Sequence, residues 1–209
     1  MRILSSGISA LFHPLLLPTY SVVLISYFAP LSIAPLNTLD GRTFIIGLIF
    51  MSTFFLPFLL LTLYIMIQNG GWTAKKFLME NSKERVFPFM VVGVFYSVVL
   101  YFIRQNSQFS DVILVTMTCA TIAILMIALI SNYWKISAHA VGMFGTIGIL
   151  AVVNNKVADA ALFYPILILL VLAGFLMSSR LYLNAHTPKQ ILFGALLGIL
   201  ISLIGYIFL

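Results

Sequence analysis

Charge is scarce in this sequence. Of 209 residues, 8% are Asp, Glu, Lys or Arg and 62% are apolar, with a mean hydropathy of +1.15. A soluble domain carries about 25% charged and roughly 45–50% apolar residues. The shortage therefore excludes a separate soluble domain and a disordered chain. Cysteine is almost absent. The one thiol, Cys119, cannot form an internal disulfide, which excludes a disulfide scaffold and leaves the redox compartment open. Acids are the rarest charges, 5 against 11 Lys and Arg. The resulting excess of +6 is dispersed, so it concerns topology and anionic headgroups and does not make a nucleic-acid binder. No lipidation motif is present. His13, Pro14 and Pro18 interrupt what would be the apolar core of a signal peptide, so the first segment reads as a retained span.

What is abundant is long apolar runs. They are continuous, not alternating, which favours helices over a barrel. Each spanning helix needs about 20 residues. Runs and breakers place spans near 14–35, 43–67, 86–103, 111–130, 138–154, 160–178 and 188–209. The third and fifth look short enough to be tilted, broken or re-entrant, so six spans is an alternative count. The expected fold is an all-α transmembrane helix bundle forming one integral-membrane domain over 1–209. With seven spans, one face carries Arg2, Lys75, Lys76, Lys83, Arg85, Lys135, Arg180 and Lys189, and the other Arg42, Arg104 and Lys156. The cation bias of eight against three points to a cytoplasmic first face, but without Lys83, Arg85 and Arg180 it falls to five against three, so the orientation stays open. Gly194 and Gly198 form a small-xxx-small pair, and Gly142, Gly145 and Gly148 thin one side of the fifth span, which suits close helix packing in lipid.

Polar residues gather in three places on the first face. Glu80-Asn81-Ser82-Lys83-Glu84-Arg85 stands just before the third span. Lys135-Ile136-Ser137-Ala138-His139 opens the fifth, where Ser137 is a natural N-cap and His139 falls in the first turn. The third place runs from Ser178 to Gln190. Thr187 and Pro188 suit the N-cap and first position of the last span, with His186 just before it and Gln190 a turn further on. Arg180 closes the preceding span with a planar donor fork suited to phosphate oxygens. Two of the three histidines, with cations beside both, thus meet helix N-termini at one membrane surface. That chemistry suits a phosphate or pyrophosphate group.

These residues resemble the type 2 phosphatidic acid phosphatase (PAP2) superfamily. Its third motif, Ser-Arg, five residues, His, three residues, Asp, is matched by Ser179-Arg180, His186 and Gln190, with Gln in the Asp position. Its second, Pro-Ser-Gly-His, corresponds to Ile136-Ser137-Ala138-His139. Its first, Lys, six residues, Arg-Pro, is degraded, and its cations map to Lys83 and Arg85. The likeness is strongest over 130–209. It implies a bacterial-type inner-membrane phosphatase in which His186 attacks phosphorus, His139 protonates the leaving oxygen, Gln190 orients His186, and Arg180, Ser137, Lys83 and Arg85 hold the phosphoryl oxygens. The implied partner is a phosphorylated lipid in the bilayer, with no cofactor or metal. No nucleic-acid or protein partner is implied. Gln190 also admits a non-catalytic relative that binds a phosphorylated lipid. A small transporter or membrane assembly subunit is the further alternative.

Overall fold

The computed structural model describes residues 2–69, 85–156 and 160–207. Among them there are helices and turns and no strand. In chain order the α-helices are α1 (Arg2–Leu11), α2 (Leu17–Phe28), α3 (Leu39–Phe50), α4 (Leu56–Asn69), α5 (Val86–Gln105), α6 (Asp111–Ser131), α7 (Ala138–Lys156), α8 (Phe163–Tyr182) and α9 (Pro188–Tyr206). They make seven stretches long and apolar enough to cross a membrane, since about 20 residues at 1.5 Å each span a 30 Å hydrocarbon layer. The chain is a multi-pass integral membrane protein.

Breaks fall in other spans than the hydropathy runs suggest. Val86–Gln105 and Ala138–Lys156, the third and fifth spans, are unbroken helices of 20 and 19 residues. Their apolar runs end early because Arg104, Gln105, Asn154, Asn155 and Lys156 are still helical, at the ends where polar side chains reach the headgroup region. The first two spans are interrupted instead. Pro14 opens a 3₁₀ turn, Pro14–Leu16, between α1 and α2, and Pro18 enters α2 within its first turn, where its missing N–H would have no helical partner. A π turn at Met51–Phe55 joins α3 to α4. Opening the turn there leaves the Thr53 carbonyl to accept a 2.7 Å bond from the buried Tyr96 hydroxyl, while Thr53 Oγ1 lies 3.3 Å from Thr19 Oγ1. The second span also starts earlier than its apolar run. Thr38 caps α3 by accepting the Gly41 N–H at 3.2 Å, and Asp40 sits in the first turn, where the helix dipole favours an acid.

Helix α7 lies at the centre and pairs most closely with α9. Glycine makes the approach possible. A Cβ on Gly194 would stand 2.9 Å from the Ser137 carbonyl, and one on Gly198 would overlap Val141 O and lie 2.7 Å from Gly145 N. Ser202 Oγ donates across the same seam to Gly145 O at 2.9 Å. The opposite side of α9 shows lipid its exposed Phe193, Leu196, Leu200 and Leu203. This is the pattern of a helix whose small face packs against protein and whose large apolar face meets lipid. The seam brings the N-termini of α7 and α9 together, and the Ser137 N–H reaches the Gln190 carbonyl at 3.4 Å.

Successive spans alternate in direction. Starts of odd spans and ends of even ones therefore share one end of the bundle, which collects Arg85, His139, Arg180 and His186. Arg42, Arg104, Asp40 and Asp111 stand at the other end. Lys83, with Glu80 and Glu84, lies outside the described residues, as does Asp159.

Candidate functional site

The site is built on the five-residue turn between α8 and α9. Helix α8 stops in a Schellman arrangement. The Ala185 N–H returns to the Arg180 carbonyl at 3.1 Å and the Asn184 N–H to the Leu181 carbonyl at 2.9 Å, with Asn184 left-handed at φ 51°. Asparagine tolerates that conformation better than most residues. Three residues later Thr187 caps α9. Its hydroxyl accepts the Gln190 N–H at 3.4 Å and Gln190 Oε1 accepts the Thr187 N–H at 3.1 Å, a reciprocal capping box followed by Pro188 at the first helical position. His186 is held between these two devices.

Gln190 Oε1 also lies 3.1 Å from His186 Nδ1. Because that oxygen already accepts from Thr187, the amide orientation is fixed. His186 must donate from Nδ1–H, which leaves the lone pair on Nε2. The ring is 6% exposed. Burial first, then the Arg85 and Arg180 cations, with a lesser push from Lys135, lower its pKa from 6.5 to about 4 against the opposing Gln190 bond. At neutral pH His186 is an uncharged imidazole with a free nucleophilic nitrogen.

His139 sits in the first turn of α7, beside its cap. Ser137 Oγ accepts the Ala140 N–H at 3.4 Å. His139 Nε2 lies 3.1 Å from the Ser9 carbonyl of α1. A carbonyl only accepts, so Nε2 carries the proton. Helix α1 thus lies against the end of α8 and over His139.

A cavity of about 350 Å³ opens among these elements. His139, Arg180, His186 and Arg85 line it, and Leu61, Phe89 and Val92 form an apolar wall from α4 and α5. The Nε of Arg180 is buried and has no hydrogen-bond partner among the described residues. A buried guanidinium N–H left unsatisfied is costly unless an acceptor joins it. Ser137, expected among the phosphate ligands, does not line the cavity. It is fully buried; its hydroxyl caps α7 by accepting the Ala140 N–H, and its backbone N–H ties α7 to the Gln190 carbonyl of α9. Lys83 lies outside the described residues.

His13 is not among the residues that the sequence motifs single out. It lines the same cavity, with its ring centroid 6.2 Å from that of His139 in an edge-to-face pair. No local spacing relates it to the other two histidines. The only signal was a histidine beside a proline break in an apolar segment. Although three histidines share one cavity, no group of three or more His, Cys, Asp or Glu among the described residues is arranged to hold a metal.

The fold and site thus define a seven-span membrane protein with a cationic, histidine-lined cavity at one end. Residues 129–209 match the family model of the PAP2 superfamily, a segment that holds Ser137, His139, Arg180, His186 and Gln190. The chain is PAP2-like over that segment. No curated protein and no solved structure matches it.

Proposed function

We propose that this protein is a phosphatase of the bacterial inner membrane that hydrolyses a lipid phosphate or isoprenyl pyrophosphate through a phosphohistidine on His186. The observation that carries the reading is the buried Nε of Arg180, which has no partner among the described residues, beside a neutral His186 with its Nδ1 proton tied down. An anion between them would supply the acceptor that Arg180 lacks and place phosphorus before the Nε2 lone pair. The apolar wall of Leu61, Phe89 and Val92 suits a substrate whose tail stays in lipid.

In this mechanism Nε2 of His186 attacks phosphorus and the bond from phosphorus to the leaving oxygen breaks. That oxygen takes a proton from His139 in its imidazolium form, which the bound phosphate's negative charge supports, and His139 is left as a neutral imidazole. Water then attacks the phosphohistidine and gives a proton to His139, releasing inorganic phosphate and restoring His186. Gln190 holds the Nδ1 proton throughout. Arg180 and Arg85 compensate the charge on the phosphoryl oxygens, the main demand of phosphoryl transfer, and splitting the reaction in two lowers each barrier.

Gln190 favours a second reading, a PAP2-like protein that binds the phosphorylated lipid without turning it over, because an amide orients the histidine but adds no negative charge. Phosphate release from phosphatidic acid, phosphatidylglycerol phosphate and undecaprenyl pyrophosphate separates the two. Release by the detergent-purified wild type that His186→Ala abolishes supports the enzyme. No release, with lipid-phosphate binding that Arg180→Gln removes, supports the binder.

A further inference from the structure

His13 is held from three sides. Pro14 follows it, and a residue before proline is confined to extended backbone. His13 obeys this, with φ −58° and ψ 136°. Its Nδ1 accepts the Leu15 N–H at 3.4 Å, capping the 3₁₀ turn between α1 and α2. Phe54 and Phe58 meet the ring edge-on, with centroids at 6.1 and 6.5 Å. The result is a rigid imidazole whose tautomer is set by its own backbone. With Nδ1 accepting, the proton is on Nε2. Among the described residues that Nε2–H has no hydrogen-bond acceptor, yet the ring lines the cavity that holds Arg180 and His186. His13 and Arg180, each with a donor that has no acceptor among the described residues, His13 Nε2–H and Arg180 Nε–H, therefore line one cavity.

We propose that His13 is a third phosphoryl-binding side chain, donating from Nε2–H to an oxygen of the phosphate gripped by Arg180. The inference rests on the phosphate reading of the cavity. His13 binds as a neutral donor, not as an acid or base, because protonating Nδ1 would evict the Leu15 N–H. It also gives α1 and α2 a part in the site, although the segment matching the family model begins at residue 129.

Two substitutions divide the ring's tasks. In His13→Asn the amide oxygen falls near the Nδ1 position and can still cap Leu15, but nothing reaches Nε2. In His13→Gln the amide nitrogen falls near Nε2 and restores a donor. Inorganic phosphate and orthovanadate binding is measured by calorimetry on the detergent-purified full chain, for wild type, both variants and Arg180→Gln. A hydrogen bond to a charged group is worth roughly tenfold to a hundredfold in affinity. His13→Asn should lose that much while keeping its thermal midpoint, and His13→Gln should recover most of it. As a second measurement on the wild type, ¹⁵N-histidine spectra should show His13 protonated at Nε2, with that nitrogen shifting on phosphate addition. If Arg180→Gln loses binding but His13→Asn does not, the proposal fails and the phosphate reading stands. Equal losses in both His13 variants, or an Nε2 indifferent to phosphate, overturn it in favour of a purely structural role. Wild type without phosphate binding, or binding untouched by Arg180→Gln, sinks the phosphate reading and His13's part with it.

Discussion

Replacing Gln190 by glutamate changes one atom's charge and little else. In the wild type Oε1 stands 3.1 Å from both His186 Nδ1 and the Thr187 N–H, so Gln190→Glu keeps the capping box and puts a carboxylate against the imidazole. An opposite charge at this range raises a histidine's pKa by about 1–3 units. His186, held at about 4, should therefore rise to roughly 5–7. Each unit is about 1.4 kcal/mol of preference for the cationic ring. The phosphoimidazolium is such a cation, so a transition state that feels even one unit's worth gains about tenfold in rate. The assay is kcat/KM for phosphate release against pH. Attack needs the neutral ring, so activity is lost below the pKa of His186. The wild-type profile should hold down to about pH 4, and the variant's acid limb should move up by about 1–3 units, with a higher plateau at pH 8. Acylation of His186 by diethyl pyrocarbonate, located by peptide mass, should show the same displacement without turnover. An acid limb that stays put in both assays refutes the coupling between positions 190 and 186. A limb that moves with no gain at pH 8 refutes the idea that the missing charge limits the rate.

Two further predictions concern stability. The depressed pKa of His186 makes folding pH-dependent: its contribution is intact above the unfolded value of 6.5 and is lost as pH falls toward about 4. Linkage puts the loss between pH 7 and pH 5 at about 2 kcal/mol. Unfolding in detergent should show a smaller pH 7-to-5 drop for His186→Gln than for wild type, and equal drops would contradict the burial argument. At the α7–α9 seam, a Cβ on Gly198 meets only backbone, whereas Gly174 of α8 has nothing within 4 Å. Gly198→Ala should destabilise by about 1–3 kcal/mol, and Gly174→Ala should be neutral or stabilising by up to about 1 kcal/mol. Thermal midpoints of the two variants, compared side by side, check the ordering.

Legibility in the sequence followed the range of each interaction. The pairing of His186 with Gln190, the Thr187 cap and Pro188 lie within four residues on one helix start, so spacing alone places them. The glycines of α7 and α9 were readable as a packing face because lipid leaves small residues as the main means of close approach. Ser137 was readable as a cap, but not that capping and the α7–α9 link would take it away from the cavity. His13 lay beyond reach. Its neighbours His139, Phe54 and Phe58 are brought to it by the folding of three separate spans, and no spacing encodes that. The breaks in the first two spans were hidden differently. Hydropathy measures whether a segment belongs in lipid and is insensitive to how its helix is wound.

The π turn at Met51–Phe55 bears on that last point. One residue more or fewer in a helix turns everything beyond it by about 100°. Phe54 lies in this turn and Phe58 just after it, with their rings stacked at 5.6 Å, and both abut His13. The winding of the second span therefore sets the angular position of the wall against which a histidine of the first is clamped. Deleting one residue from 51–55 would leave that span apolar, long enough for the bilayer and unchanged in every charged group. It would also rotate Phe58 away from His13. In this protein the phase of a lipid-facing helix sets the packing around His13, separately from the helix's length and its composition.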